Sequence, residues 1–150
     1  MPLEVHRREV EGIVILDLDG RLVMGPEATD LRRRLSQLVD QGSKKIILNL
    51  KDVSFVDSTG LGMLVIGHST VQQAAGAMKL LHLTKRNVQL LLLTKLSTVF
   101  EIFDDEQAAI NSFFPDREVK RFDILEFVQS HEGEKQTLGD LQGEVKPSEA

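Results

Sequence analysis

The chain has 150 residues, 41% of them hydrophobic, a net charge of −5, and no Cys, Trp or Tyr. That suffices for one domain with a core of branched aliphatics and Phe, and it excludes disulfides, thiolate metal sites and cysteine nucleophiles. The acidic balance, with the Arg32, Arg33 and Arg34 triplet read as a solvated helix face, gives no footprint for nucleic acid. The charged N-terminal stretch is no signal peptide and the apolar run 90–93 is far too short to span a bilayer, so a cytoplasmic protein without membrane insertion is expected.

Residues 3–8 alternate weakly and predict an edge strand, and the more apolar 13–18 (IVILDL) an inner strand, with a turn at Glu11-Gly12 between them and Gly20 as the end of the second. Pro26 precedes a helix over 27–41. Its Leu31, Leu35, Leu38 and Val39 make one buried stripe, its Glu27 and Asp30 suit the positive end of the helix dipole, and Gly42 closes it. A central strand over 45–50 (KIILNL) leads into an eight-residue loop, KDVSFVDS. A helix then starts near Ser58 or Thr59 and runs to about residue 75, with Gly76 as its stop. A strand at 78–83, a short helix at 87–93, a short strand at 98–103 and a final helix at 105–113 complete the pattern. The order β-β-α-β-α-β-α-β-α predicts an α/β fold: a mostly parallel mixed sheet with an antiparallel N-terminal pair, packed with about four helices. The compact domain is expected over 1–114. Residues 115–130, with Phe122, Ile124, Leu125, Phe127 and Val128, read as a docking segment or a helix folded back on the domain. Residues 131–150, nearly without large apolar side chains, read as a disordered tail.

Enzyme chemistry finds little support. Ser58 as a nucleophile would need a base, and His68 lies ten residues on, roughly 15 Å along a helix. His6, His82 and His131 are scattered and show no metal-ligand spacing. Gly60, Gly62 and Gly67 do not match the dinucleotide fingerprint, and no Lys-Ser or Lys-Thr follows a glycine-rich loop. The pairs Asp17/Asp19 and Asp104/Asp105 sit on a strand face and at a helix start. No catalytic residue, metal or cofactor is expected.

The informative segment is 48–63, where Asp57, Ser58 and Thr59 enter a helix. In the plainest reading, a hydroxyl of Ser58 or Thr59 caps the first backbone amides. Gly60 and Gly62, at a cost of about 1 kcal/mol each in a helix, leave that helix start bare. Leu61, Met63, Leu64, Val65 and Ile66 make it apolar nearly all round. Met63 and Ile66 fall outside a single core face, so they either pack under a neighbouring helix or form an exposed patch for a partner.

This segment resembles the signature of the STAS family, of the anti-sigma-factor antagonist type. The resemblance takes in Gly20-x-Leu22 before the first helix, the strand IILNL, the sequence FVDS, the helix start TGLG and the later NVQLLLL and VFEIF, or roughly residues 3–114. It implies that Ser58 is phosphorylated, with Thr59 as the adjacent alternative. It further implies an anti-sigma factor that is also a serine kinase, which binds the unphosphorylated chain, and a phosphatase that restores it. Carried onto this chain, the partner surface comprises Asp57, Ser58, Thr59, Gly60, Leu61, Gly62, Met63 and Ile66. Val23, followed by Met24, stands where such antagonists often carry an acid, so a contact made by an acid there is missing. The same fold without a phosphoswitch would be an accessory or docking subunit of a transporter or signalling assembly.

Overall fold

A computed structural model describes residues 3–119 and 122–130. Strands β1 (Glu4–Val10), β2 (Ile13–Leu22), β3 (Lys45–Val56), β4 (Ala77–Leu81) and β5 (Ile102–Phe103) form one sheet in chain order. Only β1 and β2 run antiparallel. Their hairpin closes at Val10↔Ile13, with Glu11 and Gly12 both at positive φ as a tight two-residue turn requires. The expected α/β class, the order of elements along the chain and the antiparallel N-terminal pair are all present.

Two strands are longer than the sequence predicts. β2 passes Gly20 to Leu22, and β3 absorbs most of the expected loop, pairing Gly20↔Val53 and Leu22↔Val56. The register shifts between Asp17 and Asp19 and between Gly20 and Arg21. The buried Val53 and Val56 therefore fall three residues apart, which breaks the period of two by which a strand is recognised. The strand expected at 98–103 shrinks to Ile102–Phe103, and a 3₁₀ turn over Leu96–Thr98 takes its first residue.

Helix α1 (Pro26–Asp40) buries Leu31, Leu35 and Leu38 as its stripe predicts. Helix α2 (Ser58–Gln73) packs beside it, and Leu35 fills the space a Cβ on Gly67 would occupy, 2.6 Å away. Helix α3 (Lys85–Leu93) starts two residues early because Thr84 Oγ1 accepts the Asn87 amide at 3.2 Å. These helices and one sheet face enclose the main core around Leu16, Leu18, Ile46, Leu48 and Leu80. The other face, Ile13, Ile15, Ile47 and Phe103, is covered by α4 (Glu106–Asn111) with Phe113, Phe114 and Val119. Packing thus continues past Pro115, and Arg117 pairs with Glu11 at 2.7 Å. A fifth helix, α5 (Ile124–Ser130), lies in the 115–130 segment. Phe122 and Phe127 meet across its start, and Leu125 is exposed. The expected tail 131–150 lies outside the described residues.

Arg8 fastens α4 to the sheet. Its guanidinium donates to Asp17 Oδ2 at 2.6 Å and to both oxygens of Glu106 at 2.6 and 2.9 Å, and Asn49 adds a bond to Asp17 at 2.8 Å. Burial alone would raise the Asp17 pKa, but the Arg8 and Asn49 bonds outweigh it and hold it below its ordinary value. Glu106 is lowered chiefly by the Arg8 bond. Both carboxylates therefore stabilise the fold above about pH 5, and that stabilisation fades as pH falls through their folded pKa values. Arg8→Gln should lose about 1 kcal/mol at neutral pH, with solvent screening allowed for. Its urea-unfolding stability should also fall less between about pH 5 and pH 2 than that of the unaltered chain.

Candidate functional site

Asp57 organises the start of α2. Its Oδ1 accepts the Gly60 amide at 2.8 Å and its Oδ2 accepts the Met24 amide at 2.9 Å, while its own amide donates to the Leu22 carbonyl at 3.2 Å. One residue thus caps α2 and ties it to the chain leaving β2. The Met24 amide first, then the Gly60 amide, hold the Asp57 carboxyl below the usual range, with help from the charge of Arg21. The helix cap is therefore Asp57, not the hydroxyl of Ser58 or Thr59 expected from sequence. Both hydroxyl residues are exposed, and Ser58 makes no side-chain hydrogen bond among the described residues.

An expected result follows from the cap. Asp57→Asn keeps one accepting oxygen for two amides and sets its NH2 against the other, so it should unfold at lower urea concentration than the unaltered chain, as should Asp57→Ala, which keeps neither bond. The deficit of the alanine variant should be full at neutral pH and shrink as pH falls from about 4, the unfolded value, through the lowered folded pKa at which the native carboxylate is protonated.

The two glycines of the first turns differ. A Cβ on Gly60 would stand 2.0 Å from the Leu22 carbonyl oxygen, whereas one on Gly62 meets nothing within 4 Å. Gly60 is thus buried by a close backbone approach, and only Gly62 leaves the helix bare. At about 100° per residue, Ser58, Gly62, Ile66, Ser69 and Gln73 fall on one stripe of α2. Ile66 is 42% exposed there. Met63 lies further round and is 5% exposed in the main core, and Leu61 is turned inward as well. The exposed patch anticipated at Met63 is absent: α2 is apolar on several sides because it is nearly enveloped. Met24, 73% exposed, stands beside the cap instead and was not singled out from sequence.

Among the described residues no histidine forms a hydrogen bond or ion pair with Asp57, Ser58 or Thr59. The His68 ring is half-buried and meets Phe100 edge-on at 5.4 Å. Among the described residues no group of three His, Asp or Glu side chains could hold a metal ion.

The sequence and the fold both match those of known proteins. The family description "STAS domain" matches residues 4–109. The chain belongs to the STAS domain family. Over 102 residues this STAS domain is 33% identical to the anti-sigma-B factor antagonist of Bacillus subtilis (strain 168), covering 68% of the chain and 92% of that protein. It is 26% identical over 112 residues to the anti-sigma F factor antagonist of Paenibacillus polymyxa, covering 73% and 94%. The Bacillus cell fate determinant SpoIIAA shares the fold at a TM-score of 0.58 and 22% identity in its phosphorylated form, covering 73% of this chain and 99% of SpoIIAA. The unphosphorylated form of SpoIIAA gives the same TM-score, 0.58, at 23% identity, covering 75% and 99%. The relatives are named for what they antagonise, not for a reaction.

Proposed function

We propose that this STAS domain is an anti-sigma factor antagonist, and that Ser58 is its phosphoacceptor. In its free form the chain binds an anti-sigma factor that is also a serine kinase and so releases the sigma factor. Phosphate on Ser58 ends that binding, and a phosphatase restores it. The site for this exchange is the cytoplasm; among the described residues no helix is long and apolar enough to cross a membrane.

The observation that carries the reading is the idle hydroxyl of Ser58. It is exposed at the first position of α2, and the capping duty is discharged by Asp57. A kinase can therefore take the hydroxyl without unfastening the helix. The added group brings about −1.5 to −2 charges. The Gly60 amide is already engaged by Asp57, so the phosphate points outward, next to one carboxylate, along the stripe of Gly62 and Ile66. A partner lying on that stripe must then desolvate a dianion, which is costly. The fold itself has little reason to change.

The test is to incubate the chain with the purified anti-sigma serine kinases of the same organism and ATP, and to map the phosphopeptide. Phosphate on Ser58 supports the reading, and phosphate on Thr59 moves the switch by one residue. If no kinase modifies either residue and the chain still binds its partner, a constitutive docking module is the better description.

A further inference from the structure

Three side chains that lie far apart in sequence meet beside the Ser58 site. Phe55 of β3 pairs with Arg21 of β2 in the parallel register. The guanidinium of Arg21 and that of Arg86, from α3, each stand 5.7 Å from the centre of the Phe55 ring. Both arginines are exposed, and Phe55 is half-buried between strand and helix.

Neither cation forms an ion pair with a carboxylate among the described residues. Arg8, Arg33, Arg34 and Arg117 each have a carboxylate partner, whereas Arg21 and Arg86 have none among the described residues. The Asp57 carboxylate, whose pKa responds to Arg21, is already spent on two backbone amides. Arg86 is also the second residue of α3, where the helix dipole disfavours a cation. Its place is thus one that helix stability does not select. Both guanidinium groups lie within cation–π reach of the same ring, which gathers two exposed cations at one spot where a carboxylate can be bound by either. Three residues on from Arg21, Met24 offers exposed apolar surface.

We propose that Arg21, Phe55 and Arg86 form a docking surface for a carboxylate-rich patch on the anti-sigma partner, continuous with the Ser58 stripe. This rests on the antagonist reading above and adds the chemistry of the partner. It also says how phosphate acts at a distance from the apolar contacts. A dianion on Ser58 repels the partner's carboxylates and offsets the charge of Arg21, so the same arginines that attract the partner lose their field.

The experiment uses the full chain and the purified anti-sigma factor of the same organism that binds it, with affinity measured at low and high salt. Arg21→Glu/Arg86→Glu should weaken binding about tenfold or more at low salt and flatten its salt dependence. Arg32→Glu, an exposed arginine of α1, should change neither. Thermal melts report whether the double variant is folded, and if it is not, Arg21→Gln/Arg86→Gln adds no new charge and should show the same loss in smaller measure. Binding by the folded variants as tight and as salt-sensitive as that of the unaltered chain overturns the docking surface and leaves the antagonist reading standing. If the unaltered chain binds no anti-sigma factor of the organism, both fall.

Discussion

Gly60→Ala is expected to be among the most destabilising single changes at this site, and Gly62→Ala, two residues on, a stabilising one. Helix propensity favours alanine over glycine by about 1 kcal/mol at either position. At Gly60 the new methyl would stand 2.0 Å from the Leu22 carbonyl oxygen and 2.8 Å from its carbon, and both are backbone atoms that cannot rotate away. The end of β2 or the start of α2 must shift, and that shift strains the Asp57 bonds to Met24 and Gly60. A net loss of about 3 kcal/mol is expected, or roughly 10 °C in Tm for a chain of this size. At Gly62 nothing lies within 4 Å, so the propensity gain of up to about 1 kcal/mol remains and Tm should rise. The same methyl would stand on the stripe between Ser58 and Ile66, so Gly62→Ala should bind the anti-sigma partner less well although it is more stable. Differential scanning calorimetry and titration of the two variants side by side decide the matter. A Tm for Gly60→Ala within 2 °C of the unaltered protein would contradict the close approach.

Ser58→Asp should bind the anti-sigma partner at least about a hundredfold more weakly than Ser58→Ala, with both as stable as the unaltered chain to within about 0.5 kcal/mol. The stability half follows from geometry: the Ser58 hydroxyl is exposed and engages no described group, and Asp57 keeps the cap in every variant. The binding half follows from electrostatics, because a charge set beside Asp57 on a docking stripe must lose its water when the partner closes over it. Isothermal titration with the partner, paired with urea unfolding, separates the two. If Ser58→Asp binds like Ser58→Ala, charge at this position does not govern docking, and the switch is refuted.

Elements whose signal is local were legible in the sequence. The α1 stripe of Leu31, Leu35 and Leu38 and the apolar strand Ile46 to Leu50 announce themselves by period, and their alternation implies a parallel sheet. The far ends of β2 and β3 were not, because bulges at Asp17/Asp19 and Gly20/Arg21 scramble the period of two while leaving the hydrogen-bonded pair intact. The cap was ambiguous for a related reason. Asp57, Ser58 and Thr59 are all capping residues in a row, and only the position of the Leu22 and Met24 backbone selects Asp57. That a helix with little amphipathic contrast buries Met63 and exposes Ile66 depends on what packs around it, which a wheel drawn from sequence does not contain. The meeting of Arg21, Phe55 and Arg86 is purely tertiary, since 34 and 31 residues separate them from Phe55.

The hydroxyl of Ser58 has an address that exists only in the finished protein. It sits on the first residue of a sixteen-residue helix, held against the neighbouring strand by Asp57 through Leu22 and Met24. An enzyme that modifies it has no extended peptide to thread into its cleft and must recognise a folded surface. A synthetic peptide copying residues 51–65 should accordingly be a poor substrate, however faithful its letters. Molecules still on the ribosome, or partly unfolded, would escape modification. The signal would then count only those copies of the protein that are able to answer it.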